Sequence, residues 1–159
     1  MSSPIFPAPD HDHHRCSVDA LRYAETLCNQ RAQKLTPTRR QVLEVLLENH
    51  KPLGAYEIID RAAKAHGARH APITVYRALD FLIENGLAHR IESRNAYIAC
   101  VHQHDASDLV VFLICERCGE VGEAPSQAVA ESLKAATRAA GFTPKAPVIE
   151  ITGICANCR

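Results

Sequence analysis

The stretch ITVYRALDFLIENGLAHRIESRNAYIAC, residues 73–100, has the pattern of a helix followed by a β-hairpin. In its first half, apolar residues recur at the three- and four-residue spacing of one helix face, and Gly86 marks the end of the helix. The buried face is predicted to contain Val75, Leu79, Leu82 and Ile83. In its second half, two short apolar strands flank a polar turn at residues 93–95. The opposite helix face carries polar residues, with Tyr76 near its edge: Thr74, Arg77, Asp80 and Glu84.

Three further helices are predicted before this stretch. The first runs through VDALRYAETLCNQRAQKL, residues 18–35, with Val18, Leu21, Ala24, Leu27 and Cys28 on one face. The second begins after Thr36, a natural N-cap, with Pro37 in its first turn. The third covers roughly residues 55–66 and ends at Gly67. The last three of these four helices, followed by the hairpin, have the pattern of a winged helix, which is a variant of the helix-turn-helix motif.

The second half of the chain has a different pattern. A buried strand is predicted at DLVVFLIC (108–115), a strand at GEVGE (119–123), a helix at 125–142 and a last strand at APVIEITGIC (146–155). These elements form a small α/β domain whose strand edges and apolar content suit pairing with a second copy. We therefore expect an α+β protein with a flexible tail (1–17), a winged-helix DNA-binding domain (18–97) and a dimerisation and metal-binding domain (98–159).

Composition and charge limit the possible function. The 159-residue chain has a formal net charge of zero, but residues 31–94 hold 11 Lys and Arg against 7 Asp and Glu, whereas residues 98–159 hold 5 against 7. Only the first half is therefore suited to face phosphates. The sequence shows neither a secretory signal nor an apolar run of about 20 residues that could span a membrane, so we expect a cytoplasmic protein. In a reducing compartment, its seven cysteines are first interpreted as metal ligands or reactive thiols.

Four of the cysteines form two Cys-x-x-Cys pairs, each directly after a predicted strand: Cys115, Cys118, Cys155 and Cys158. Zinc prefers a tetrahedral shell, and two such pairs can supply four thiolates to one ion. A redox dithiol is the alternative, but it is expected to open a helix, whereas Gly119 favours a turn. We predict a structural zinc site, and because all four positions are filled by cysteine, it should not catalyse a reaction.

A second set of candidate ligands comes from several segments. His89 and Cys100 lie on the two predicted hairpin strands, and Glu123 follows the first Cys-x-x-Cys pair. The segment after the hairpin adds His102, His104, Asp105 and Asp108. Such a mixed set can bind zinc and lock the orientation of the segments. Alternatively, residues 102–108 are a solvated loop and Cys100 is a small buried residue. The histidines at 11, 13 and 14 could bind metal, but a flexible tail is the simpler interpretation.

Taken together, the chain resembles the ferric uptake regulator family of metal-sensing repressors, and within it the zinc uptake regulator branch. The similarity lies in LTPTRRQVLEVL, GAYEIIDRA, TVYRALDFLIENGLAHRIES, NAYIAC, FLICERCGEVGE and GICANC, and it covers nearly all of the chain from about residue 18. The resemblance implies an N-terminal winged helix that binds a palindromic operator, a C-terminal domain that dimerises and a metal site at the hinge.

By motif position, the resemblance implies a role for each candidate residue. Cys115, Cys118, Cys155 and Cys158 match the structural zinc ligands. The regulatory zinc ligands are matched by His89, Cys100 and Glu123. The fourth regulatory ligand of the branch is a histidine, and Asp108 occupies its position, so either Asp108 coordinates zinc directly or His102 or His104 replaces it. The DNA-contacting positions are Tyr56, Thr74, Tyr76 and Arg77, with Arg39 and Arg40 as phosphate contacts.

The expected function is a zinc-responsive transcriptional repressor that binds double-stranded operator DNA as a homodimer and controls zinc uptake genes. It would carry one structural and at least one regulatory zinc ion per chain, and would have no membrane partner, no small-molecule substrate and no enzymatic activity. The alternative within the family is a sensor of iron or peroxide. A zinc hydrolase or deaminase is disfavoured because the His-Glu-x-x-His and the His-x-Glu with Pro-Cys-x-x-Cys signatures are absent. The TVYRALDFL helix argues against a zinc scaffold without DNA function.

Overall fold

The computed structural model describes residues 5–8, 10–101, 109–145 and 148–159, apart from the side chain of residue 125. The chain divides into two compact units. The first unit is Pro9–Ala106, and the second combines Met1–Ala8 with Ser107–Arg159. Within the described residues, no helix is both long and apolar enough to cross a bilayer.

The first unit begins with four helices: α1 (His13–Gln30), α2 (Pro37–Leu46), α3 (Ala55–His66) and α4 (Pro72–Glu84). Thr36 is the N-cap of α2, as predicted, and its side chain accepts a hydrogen bond from the Arg39 amide. α3 ends at Gly67, whose φ of +74° is the left-handed conformation that glycine adopts at little cost. The local signals in the sequence therefore placed these helix ends correctly.

A β-hairpin follows α4 and forms the wing. β1 (Ala88–Ile91) pairs antiparallel with β2 (Ala96–Ala99), with His89 opposite Ile98. A short 3-10 turn joins the strands, and Asn95 completes it in the left-handed region at φ 46°. Leu53, before α3, also pairs with Tyr97 through two backbone hydrogen bonds of 2.8 Å. The hairpin is thereby attached to the helices as well as to itself.

One apolar core holds the first unit together. α4 contributes its predicted inner face, and the side chains of Val75, Leu79 and Leu82 are fully buried. Full burial of an apolar side chain of this size stabilises a fold by about 1.5–3 kcal/mol. The other contributors come from α1, α2, α3 and the hairpin, among them Ala24, Cys28, Leu43, Leu46, Ile58, Ile59 and Tyr97. α4 is therefore fixed in place by one face, which leaves its other face available.

The predicted flexible tail, 1–17, is wrong in extent. α1 begins at His13, because the Asp12 side chain accepts a hydrogen bond from the Arg15 amide and caps the helix. Residues 13–17 are therefore helical, and Val18, predicted on the buried face, is 39% exposed. The predicted domain boundary after residue 97 falls inside β2, where the ladder continues to Ala99.

The second unit contains a three-stranded sheet in the order β4-β3-β5. β3 (Val110–Cys115) pairs antiparallel with β4 (Val121–Pro125) and parallel with β5 (Ile149–Gly153), and α5 (Gln127–Ala139) joins β4 to β5. β3 is the central strand and carries most of the buried residues, including Val111, Phe112 and Ile114. The α+β class, with a winged helix followed by a small α/β unit, is confirmed.

The start of the chain packs on this second unit. The Asn157 side-chain amide donates a 2.9 Å hydrogen bond to the Pro7 carbonyl. On β4, Gly122 lies against Ile5, and a Cβ atom at this position would be 2.5 Å from Cγ2 of Ile5. Glycine at 122 therefore permits the close approach of residues 5–8 to the sheet.

Candidate metal centres and nucleic-acid interface

The second unit brings together the four cysteines predicted to bind structural zinc. The sulfurs of Cys115, Cys118, Cys155 and Cys158 all lie within 4.8 Å of one another. The distance between Cys118 Sγ and Cys155 Sγ is 3.8 Å. Four sulfurs placed tetrahedrally at the usual Zn–S distance are separated by about 3.8 Å. Cys118 and Cys155 therefore have the spacing that a tetrahedral zinc ion requires, and the other two thiols lie close enough to complete its shell.

The sheet explains why the two Cys-x-x-Cys turns meet. Cys115 ends β3, and Cys155 follows β5 by two residues, and these strands run parallel side by side. The Glu116 amide donates to the Gly153 carbonyl at 2.8 Å, which holds the two turns together. After the first turn, Gly119 adopts φ +78° and its amide donates to the Cys115 carbonyl at 3.0 Å. The predicted turn at Gly119, rather than a helix, is therefore present.

Hydrogen bonds prepare the site for anionic sulfur. The backbone amides of Cys118 and Cys155 donate to the Cys115 sulfur and lower the pKa of that thiol to about 6. The neighbouring thiols resist ionisation beside it: the hydrogen bond with Cys155 raises the pKa of Cys158 to about 12, and burial raises the pKa of Cys118. Without metal, one thiolate therefore forms readily while these two neighbours remain protonated, and a divalent cation is needed to ionise the full set.

In the first unit, two predicted regulatory ligands lie close together on the wing. A ring nitrogen of His89, on β1, and Sγ of Cys100, directly after β2, are within 4.8 Å of each other. The Cys100 amide donates to the Leu87 carbonyl at 3.0 Å, which extends the hairpin by one pair and fixes this position. Both side chains are half-buried. This pair can supply one nitrogen and one sulfur ligand to zinc.

The remaining predicted regulatory ligands belong to the second half of the chain or follow the wing. Glu123 lies on β4 opposite Phe112, and only 3% of it is exposed. A buried carboxylate is unusual unless it is paired or binds a metal. Asp108, His102 and His104 lie outside the described residues, so the identity of the fourth ligand stays a prediction.

The outward face of α4 has the character of a nucleic-acid contact surface. Thr74, Tyr76 and Arg77 are exposed, and Tyr56, at the start of α3, is 64% exposed. Within the part of the chain that the structure describes, the side chain of Arg77 has no hydrogen bond and no ion pair. A guanidinium in this state can form two parallel hydrogen bonds to a guanine edge or a phosphate without first breaking a pair.

Arg39 and Arg40, predicted as phosphate contacts, are already engaged within the first unit. The Arg39 guanidinium lies 3.6 Å from the centre of the Phe81 ring and donates to the Lys34 carbonyl at 2.7 Å. Arg40 forms ion pairs with Glu25 and Glu44, and these two carboxylates raise the pKa of its guanidinium. Both residues therefore also connect helices, and a phosphate would have to compete with the two carboxylates for Arg40.

The first unit also contains a cluster of candidate ligands that the sequence analysis did not predict as a set. His11 and His13, at the start of α1, lie beside His50, which follows α2, and their ring nitrogens are within 4.8 Å of one another. Only the run of histidines at 11–14 was visible as a signal, because the third member is separated from it by more than thirty residues.

A winged helix with an exposed polar helix, combined with a four-thiol zinc-type centre, defines a metal-binding protein of the winged-helix class. The family model described as the ferric uptake regulator family matches residues 30–152. The chain belongs to this family.

Individual relatives give the same picture. The chain is 36% identical over 140 residues to the zinc uptake regulation protein of Escherichia coli (strain K12), which covers 88% of this chain and 81% of that relative. A solved zinc uptake regulator complexed with zinc and DNA superimposes with a TM-score of 0.81 at 36% identity, covering 89% of this chain and 94% of that one. The crystal structure of holo XcZur gives a TM-score of 0.78 at 42% identity, with 88% and 96% coverage.

Proposed function

We propose that this protein is a zinc-responsive transcriptional repressor that binds a palindromic operator as a zinc-loaded homodimer and controls zinc uptake genes. It acts as a regulator of transcription in the cytoplasm and not as an enzyme. The observation that carries the proposal is α4, which buries Val75, Leu79 and Leu82 and presents Tyr76 and Arg77 to the outside. That arrangement is the one a recognition helix needs to enter a major groove.

The structural zinc ion is assigned to Cys115, Cys118, Cys155 and Cys158. When bound, it supplies a permanent cross-link between the ends of β3 and β5 and, with four sulfur ligands, no open position for a substrate. The regulatory zinc ion is assigned to His89, Cys100 and Glu123. Asp108 is the fourth ligand, with His102 or His104 as the alternative.

The proposed zinc-dependent switch in DNA binding depends on regulatory ligands that come from two different units. His89 and Cys100 belong to the wing, whereas Glu123 belongs to the dimerisation unit. An ion that binds all three fixes the separation of two DNA-binding units in a dimer, and only one separation matches both half-sites of an operator. Coupling of this kind is typically worth about 1–3 kcal/mol, and it is reciprocal, so operator DNA should also tighten zinc binding.

Homodimerisation is supported by the surface of the second unit. α5 is amphipathic, yet none of its described residues is buried. Exposed apolar side chains also lie on α5, after it and on β5, at Val129, Phe142 and Ile151. Exposed apolar side chains together with a helix that buries none of its residues favour a protein contact, and the isologous contact of a twofold dimer is the commonest.

The test is fluorescence anisotropy of a labelled operator-like palindrome, with buffered free zinc as the variable and ferrous iron and manganese in parallel. Binding should appear only as zinc rises. His89→Ala and Cys100→Ser should abolish the zinc dependence, whereas Cys16→Ser, an exposed thiol outside the clusters, should not. Zinc-independent binding by the wild-type protein would refute the switch, and a response to iron alone would indicate an iron sensor.

The DNA surface is tested separately at saturating zinc. Arg77→Ala should weaken operator binding by about 1–3 kcal/mol, roughly 5–150-fold, because one bidentate base contact is lost. Arg22→Ala, an exposed arginine on α1, is the matched control and should leave affinity unchanged. Equal affinities for the two variants would exclude Arg77 from the interface.

A further inference from the structure

Three histidines of the first unit, none of them assigned to either zinc site above, converge. Nε2 of His11 lies 3.1 Å from Nε2 of His50 and 3.3 Å from Nδ1 of His13. The centres of the His13 and His50 rings are 4.8 Å apart. All three side chains are half-buried. Three imidazoles therefore direct ring nitrogens towards one small volume.

Hydrogen bonding between the rings does not account for this arrangement. Nε2 of His11 carries either one hydrogen or one lone pair, so it can satisfy one of its two nitrogen neighbours but not both. Neutral imidazoles thus leave one of these two nitrogen–nitrogen contacts without a hydrogen bond between its atoms, and a bound water or ion resolves such a contact in native proteins.

The spacing matches a metal ion instead. Zinc binds histidine nitrogen at about 2.0–2.1 Å, and tetrahedral ligands at that distance are separated by about 3.3–3.4 Å. The two measured nitrogen–nitrogen distances, 3.1 and 3.3 Å, are close to this value. Imidazole suits zinc and other borderline divalent ions, whereas calcium and magnesium prefer oxygen.

Hydrogen bonds hold His13 and His50 in place. Oγ of Ser17 lies 3.0 Å from the carbonyl oxygens of both His13 and Leu47, so the first turn of α1 is attached to the end of α2. His50 follows α2 by four residues, in a turn closed by a 2.8 Å hydrogen bond from the Lys51 amide to the Asn49 side chain. The site thus combines two neighbouring histidines, His11 and His13, with His50, which is 39 residues from His11 in the sequence.

We propose that His11, His13 and His50 form an additional zinc site, with a water molecule as the fourth ligand, that anchors residues 10–17 to the end of α2. With three neutral nitrogens and one exchangeable position, this site binds zinc less tightly than the four thiolates do. It therefore fills at higher free zinc, after the structural site. The inference does not depend on the proposed function, because it concerns only residues of the first unit.

The experiment compares zinc content and hydrogen exchange of the full-length protein in zinc buffers. His11→Ala and His50→Ala should each bind one zinc ion fewer per chain than the wild type. His14→Ala is the matched control, because His14 is an exposed neighbour in the same run of histidines, and it should keep the wild-type number. In the wild type, zinc should slow amide exchange in residues 10–17, and this effect should vanish in both cluster variants.

Two further comparisons keep the sites apart. His89→Ala removes a wing ligand, so the double variant with His50→Ala should lose two zinc ions where each single variant loses one. Cobalt(II) bound by the cluster should show ligand-field absorption without the sulfur-to-metal charge-transfer band of a thiolate site. Equal zinc content in the wild type, His11→Ala and His50→Ala would overturn the proposal, as would an equal loss in His14→Ala.

Discussion

Replacing Cys118 with serine tests whether the second unit depends on zinc for its fold. The distance of 3.8 Å between Cys118 Sγ and Cys155 Sγ equals the edge of a zinc tetrahedron, so this pair binds the ion with little rearrangement. Structural zinc contributes about 10–16 kcal/mol of apparent free energy at pH 7, so an equal share for each of four ligands is about 2.5–4 kcal/mol. This amount is a large fraction of the stability of a typical domain.

The assay is hydrogen exchange of the zinc-loaded protein followed by mass spectrometry. A loss of about 2.5–4 kcal/mol should speed exchange in β3 and β5 of Cys118→Ser by roughly 10²–10³-fold. The helices of the first unit serve as the internal reference, since their core does not include the four thiols. Cys16→Ser removes an exposed thiol and should behave as the wild type. Equal protection of β3 in the two variants would refute the reasoning.

Three other outcomes are expected. The first equivalent of zinc, which fills the four-thiol site of the metal-free protein, should release about one more proton at pH 5 than at pH 7, because Cys115, with a pKa of about 6, is already a thiolate at the higher pH. Calorimetry in buffers of different ionisation enthalpy measures this release, and an equal release at both pH values would contradict the prediction. Leu79→Ala should lower the free energy of unfolding of the first unit by about 2–5 kcal/mol in denaturant titrations, whereas Ile73→Ala on the exposed side of α4 should cost under about 0.5 kcal/mol. Gly119→Ala should destabilise the first Cys-x-x-Cys turn by about 1–2 kcal/mol, because alanine is strained at φ +78°. Competition with a chelator measures zinc retention, and Gly153→Ala is the control, because a Cβ atom at Gly153 meets open space. Equal zinc retention in the two variants would argue against the strain.

Local patterns account for what the sequence predicted well. The ends of α2 and α3 depend on Thr36 and Gly67, residues that act on their own neighbours, and α4 was evident from the period of its apolar face. The four-thiol site was predictable for the same reason, since each Cys-x-x-Cys pair is a local signal placed at a strand end.

Contacts across long sequence separations account for the rest. His50 became a candidate ligand only when the fold brought it to His11, and Arg40 only proved to be paired once α1 placed Glu25 beside it. The start of α1 was missed because its capping residue, Asp12, lies within a segment whose composition suggested a flexible tail. The spacing of apolar residues identifies the buried face of a helix, but it does not predict where a polar first turn begins.

Because α5 buries none of its described residues, the stability of the second unit is expected to depend on protein concentration. If a second copy covers this helix, the stability of the second unit depends partly on the concentration of the protein. Each tenfold dilution then removes about 1.4 kcal/mol per mole of dimer. At low copy number, the abundance of the chain would set the fraction of assembled protein, and any regulation of its own synthesis would act on stability as well as on amount.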